Sequence, residues 1–224
     1  MTISAIILSG GRSSRFDGAH KPAVELGEAT VISRILGAVR TLDPTAEVWV
    51  VGSVEGLSAG EEKTVHHIRE EPEFAGPLAG IAAAGERMHS ASSTADAVDT
   101  NPVALTRSQP SLARDAASVT LVLAGDMPLI TPGHLRELVD YCRGTGLPAA
   151  GSDDRGKTQF LCAAWPRGLL LSRLAEVGDP VNAAVKLLYA GVETTRVHVD
   201  AEVIADFDTV EELDRIRARF DSEL

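Results

Sequence analysis

Residues 118–126 read SVTLVLAGD, and this stretch decides the fold class. Its largely apolar run has the length of one buried strand, as in a parallel sheet covered on both sides. Gly125 and Asp126 end the run. The chain then continues as ITPGHLRELVDYC (130–142). Here Thr131 is placed to cap a helix, Pro132 suits its first position, and Leu135, Leu138 and Val139 share one face. A buried strand followed directly by a helix is the repeating unit of an α/β protein.

The same alternation extends outward in both directions. ISAIIL (3–8) reads as a second buried strand, and EVWVVG (47–52) as a third. TVHHI (64–68) reads as a shorter one. Val31, Ile32, Ile35, Leu36 and Val39 recur at helical spacing and predict a helix ending near Leu42 and Pro44. GPLAGIAAAGERMH (76–89) predicts a helix with Pro in its first turn. LPAAG (147–151), TQFLCAAW (158–165) and TTRVHVD (194–200) read as strands, with helices near 168–177 and 181–189. In DTVEELDRIRARF (208–220), Thr209 and Glu212 form a capping-box pattern, and Val210, Leu213 and Ile216 form a face to bury. The expected architecture is one α/β domain over 1–224, with a parallel or mostly parallel sheet and helices on both faces. Residues 90–117 break the rhythm. They are rich in Ser, Ala, Thr and Asp, and predict a mobile insertion too poor in apolar surface to offset its ordering entropy.

Composition narrows the function. The 224 residues carry 21 Lys and Arg against 32 Asp and Glu, a formal net charge of −11. Such a chain has no global field to attract a nucleic-acid backbone or an anionic membrane. Small anions held by local cations remain open to it. Cys142 and Cys162 are the only cysteines, too few for a disulfide framework, and read as reduced thiols. Neither a signal peptide nor a membrane span is legible, so a cytoplasmic location is expected.

Two strand ends carry unusual chemistry, and ligands of open α/β sheets bind beyond such ends. After the first strand comes LSGGRSSRFDGAHKP (8–22). Gly10 and Gly11 remove side chains where backbone N–H groups meet an anion, and Arg12, Arg15 and Lys21 concentrate three cations. A solvated glycine turn is the plainer reading. The loop fits neither the dinucleotide fingerprint nor the P-loop pattern. Asp126 follows the strand that ends at Gly125, where its carboxylate could hold a Mg²⁺ that bridges to phosphates, or could simply form the turn. Asp206 and Asp208 form a second acidic pair, equally suited to capping. His66 and His67 alternate faces and make a poor zinc pair. Trp49, Trp165 and Phe160 read as core.

LSGGRSSRFDGAHKPAVELG (8–27) resembles the LAGGxSxRMGxDKxLxxxxG signature of the MobA-like NTP transferases, and among them the molybdenum cofactor guanylyltransferases. EEPEFAGPLAGIAAA (70–84), LAGDMPLITPGHLREL (123–138), TQFLCAAWPRGLL (158–170) and FDTVEEL (207–213) are similar to further blocks of that family, in the same order. The resemblance implies a single Rossmann-like three-layer α/β/α domain. It implies transfer of GMP from GTP to the phosphate of molybdopterin, with Mg²⁺ as cofactor and molybdoenzymes or their chaperones as transient contacts. It places Leu8, Ser9, Gly10 and Gly11 against the nucleotide, Arg15 and Lys21 on its phosphates, Glu71 at the base, and Mg²⁺ on Asp126. Ser9 stands for the usual Ala, Phe16 for Met and Glu71 for Asp, and Gly52 where some members carry Asn. Cytidylyl transfer, nucleotidyl transfer to a sugar phosphate, and non-catalytic nucleotide binding stay open beside guanylyl transfer.

Overall fold

The apolar runs 3–8 and 119–124 lie side by side in the sheet interior, Ile3 opposite Val119 and Leu8 opposite Ala124. The computed structural model describes residues 2–10, 20–69, 75–95, 118–200, 203, 207 and 209–221, the side chains of 92–95, 210 and 221 excepted. In chain order the strands are β1 (Ile3–Ser9), β2 (Glu25–Leu26), β3 (Ala29–Thr30), β4 (Glu47–Gly52), β5 (His66–Ile68), β6 (Val119–Ala124), β7 (Ala149–Ser152), β8 (Thr158–Pro166) and β9 (Thr195–His198). The helices are α1 (Val31–Leu42), α2 (Ala59–Glu62), α3 (Pro77–Ala95), α4 (Pro132–Thr145), α5 (Arg167–Val177) and α6 (Val210–Asp221).

Seven strands form one sheet in the order β5-β4-β1-β6-β8-β7-β9. All run parallel except β8, which is antiparallel to both β6 and β7. Alternation along β1 explains the three layers. Ile3, Ala5 and Ile7 join a core with α1, α4 and α6, while Ile6 and Leu8 join a second core with α3 and α5. This is the mostly parallel α/β sheet expected from the sequence.

Local chemistry sets the helix ends. Thr131 accepts from the His134 N–H at 3.4 Å, and Gly146, at φ +67°, closes α4 with its N–H on the Cys142 carbonyl. Thr209 and Glu212 exchange the two bonds of the expected capping box, at 3.0 and 3.2 Å. Cys142 and Cys162 are buried free thiols, both pushed up to about 12 by burial. Trp49 and Trp165 are core, and Phe160 packs at its margin. No described helix is long and apolar enough to cross a membrane.

The structure departs from the sequence reading in four places. Only Val185–Tyr189 of the expected 181–189 helix is helical, and as a 3-10 turn. Asn182 interrupts it at φ +54°, its N–H tied to the Ala75 carbonyl at 2.6 Å. Ser90–Ala95, expected in the insertion, instead extends α3, and the Ser90 hydroxyl donates back to the Glu86 carbonyl one turn earlier. The rest of the insertion, 96–117, lies outside the described residues. The 64–68 strand begins only at His66, because Thr64 donates its N–H to the Glu61 carbonyl in the turn after α2. Finally, β2 and β3 form a hairpin around Gly27, at φ +61°, that the sequence reading missed.

Glu61 links α2 to α1 and makes acid stability testable. Partial burial raises its carboxyl, but bonds from the Ser33 hydroxyl and from the Ser58 hydroxyl and N–H outweigh this and hold it below the ordinary 4.5. A depressed folded value means stabilisation that is present above 4.5 and lost as pH falls through the folded value. The native protein should therefore lose stability on acidification below 4.5 more steeply than Glu61→Gln. Chemical denaturation across that window measures it, and equal slopes would remove the ion's role.

Candidate active site

β1, β4 and β6 end together along one edge of the sheet, and glycine strips that edge of side chains. Ser9, the last residue of β1, is fully buried, whereas Gly10 beyond it is exposed. Gly52 ends β4 at φ +106°, and a Cβ there would lie 2.4 Å from the Gly10 nitrogen. Gly125, just past β6, donates its N–H to the Leu8 carbonyl at 2.9 Å, and a Cβ there would lie 2.6 Å from the same oxygen. These contacts are with backbone, which cannot swing aside. Gly10, Gly52 and Gly125 thus crowd around the end of β1 because none has a side chain.

The candidate charges stand on this rim. Lys21 opens a short 3-10 turn, Lys21–Ala23, in which the Ala23 and Val24 N–H groups donate to the His20 and Lys21 carbonyls. Pro22 is buried, with its Cγ 3.3 Å from where a Gly125 Cβ would be. The residue after Lys21 and the residue before Asp126 therefore pack against each other. The Lys21 ammonium sits 5.5 Å from the centroid of the buried Phe207 ring, a cation–π contact that steadies its long stem. Asp126 is half-buried on the turn that follows β6.

One further contact ties this rim together. His20 Nε2 lies 3.1 Å from the Ser9 hydroxyl. Partial burial pushes the His20 imidazole below its ordinary 6.5, and the Glu55 carboxylate opposes that shift.

The structure thus brings Leu8, Ser9, Gly10, Lys21 and Asp126 to one edge. Gly11, Arg12, Arg15, Glu71, Asp206 and Asp208 lie outside the described residues. His20, Phe207, Gly52 and Gly125 escaped the sequence reading as shapers of the rim. The GD dipeptide after β6 was a usable signal for Gly125. Nothing local links Phe207 to Lys21.

The MobA-like NTP transferase domain model matches residues 5–193. The chain belongs to this family. The matched MobA-like segment therefore runs from within β1 to just short of β9. No curated protein matches the chain. Among solved structures it is similar to molybdopterin-guanine dinucleotide biosynthesis protein A from Archaeoglobus fulgidus, at 16% identity, 99% and 100% coverage of the two chains and TM-score 0.61. Rv0371c from Mycobacterium tuberculosis H37Rv, in complex with manganese, is similar at 18% identity, 97% and 98% coverage and TM-score 0.60. So is 2-C-methyl-D-erythritol 4-phosphate cytidylyltransferase from Thermus thermophilus, at 15% identity, 99% and 100% coverage and TM-score 0.61. At these identities the likeness is one of fold, and the fold is that of nucleotidyltransferases.

The MobA-like rim also fits a divalent cation. Mg²⁺ is held through one or two carboxylates together with substrate phosphates and waters, and seldom by a full protein cage. Among the described residues no group of three His, Cys, Asp or Glu side chains forms such a cage. Asp126, half-buried on the turn after β6, is a carboxylate of the kind that could share such an ion with a phosphate.

Proposed function

We propose that this MobA-like protein transfers GMP from GTP to the terminal phosphate of molybdopterin carrying molybdenum, and releases pyrophosphate. The observation that carries a nucleotidyl-transfer reading is the packing of Pro22 on Gly125. That packing joins the residue after Lys21 to the residue before Asp126, which supports a reading in which both side chains serve one phosphate site. The ordered sequence blocks support the guanylyl and molybdopterin part.

The chemistry asked of the protein is mainly electrostatic. An oxygen of the acceptor phosphate attacks the α-phosphorus, and the bond from that phosphorus to the bridging oxygen of the β-phosphate breaks. The electron pair leaves with pyrophosphate. The acceptor is already an anion, so no general base is needed. The obstacle is repulsion between two anions, and Lys21 with Arg15 would offset it. A Mg²⁺ on Asp126 would add charge neutralisation at the phosphates when bound. The glycine-lined edge lets backbone N–H groups reach phosphate oxygens that side chains would otherwise exclude.

The test compares GTP, CTP, ATP and UTP, each with Mg²⁺ and molybdenum-bound molybdopterin, by pyrophosphate release. GTP is expected to give the fastest release. Preference for CTP would replace guanylyl by cytidylyl transfer, and release only with a sugar-phosphate acceptor would replace molybdopterin. Nucleotide binding without release from any of them would leave a binding protein.

A further inference from the structure

Lys21 is held from several sides, and one of its supports belongs to no recognised part of the phosphate site. On its carboxyl side Pro22 is fixed against Gly125. At its head lies the Phe207 ring. On its amino side His20 reaches Ser9, whose hydroxyl is fully buried at the end of β1. Ser9 is itself fixed, since its carbonyl accepts the Ser53 N–H at 3.3 Å in the segment after β4. The Ser9–His20 bond therefore fastens the residue before Lys21 to the sheet, across the eleven positions that separate the two side chains.

We propose that His20 is a positioning residue for phosphate binding, acting through its bond to Ser9 to hold the Lys21 backbone at the end of β1. A lysine side chain has a flexible four-carbon stem, so the backbone that carries it sets where its ammonium can reach. The bond does not depend on protonation. A neutral imidazole can accept from the hydroxyl or donate to it, and a charged one donates. The inference rests on Lys21 contacting phosphate, and the experiment separates the two.

The probe is inorganic tripolyphosphate at fixed Mg²⁺, which carries the phosphates without base or acceptor, with affinity read by calorimetry on the full chain. His20→Ala and Ser9→Ala should each weaken binding by about tenfold, the scale of one lost hydrogen bond at a charged site. The double variant should be no worse than either single one. His20→Gln, whose amide can still reach Ser9, should recover most of the loss. Ser9→Ala removes a single oxygen, so it tests the bond even if His20→Ala folds poorly. If Lys21→Ala weakens binding while both the Ser9 and His20 variants bind normally, the positioning role is overturned and the phosphate site stands. If Lys21→Ala itself binds normally, the reading beneath the inference falls with it. Losses that add in the double variant, or no recovery with Gln, would likewise overturn coupling through this bond.

Discussion

Replacing Asp126 by Asn is expected to slow pyrophosphate release by roughly 10²-fold or more, and replacing Lys21 by Ala should do the same. Two unit charges about 4 Å apart interact by about 4 kcal/mol at an effective dielectric near 20, and 1.36 kcal/mol is about a tenfold change in rate. Losing one charge beside the reacting phosphates therefore leaves room for two to three decades. Both residues are only partly buried, on a rim rather than in the core, so neither change should unfold the protein. The Asp126 loss should shrink as Mg²⁺ is raised, because a weakened ion site refills by mass action. A turn-forming carboxylate would show no such recovery. Steady-state rates across a Mg²⁺ series decide it, and full turnover in both variants would remove these residues from the chemistry.

The second large effect is structural. Gly52→Ala should lower stability by about 3 kcal/mol, combining a positive φ with overpacking. In a protein of this size that is a fall in Tm of roughly 6–12 °C. The added methyl would lie 2.4 Å from the Gly10 nitrogen and 2.6 Å from its Cα, so relief requires the end of β1 to move. Nucleotide affinity should fall along with stability. Gly144→Ala is the control. It lies within α4 with nothing within 4 Å of the new methyl, and should be neutral or stabilising by up to about 1 kcal/mol. Calorimetric melting of the two variants measures the contrast, and a Gly52→Ala Tm within about 2 °C of native would contradict the packing of the rim.

The sheet was legible because its inner strands are short, mainly apolar and β-branched runs, as in Ile3–Leu8 and Val119–Ala124. The capped helices were legible because Thr131 and Thr209 announce themselves within four residues. Asn182 was not legible. The apolar spacing of Val181, Val185 and Leu188 imitates a helix, and only the remote carbonyl of Ala75 explains the break. The site divides in the same way. Asp126, Lys21, Ser9 and Gly10 follow strands that could be read, so their common edge could be foreseen. The need for glycine at 52 arises from Gly10, a partner 42 positions earlier, and the cushion beneath Lys21 comes from Phe207. Such pairings are made by folding and leave no local trace.

The supports of Lys21 are drawn from residues 9, 20, 125 and 207, so they span nearly the whole length of the chain. Even β1 finds its β6 partner 116 residues away, where the Ser4 and Thr120 hydroxyls meet. During synthesis the seat of Lys21 is therefore assembled late, after the described strands have been made. A ribosome-bound fragment that ends before residue 207 would carry the lysine and the glycines without the seat that orders them. Full ordering of Lys21 would then mark that translation has passed residue 207.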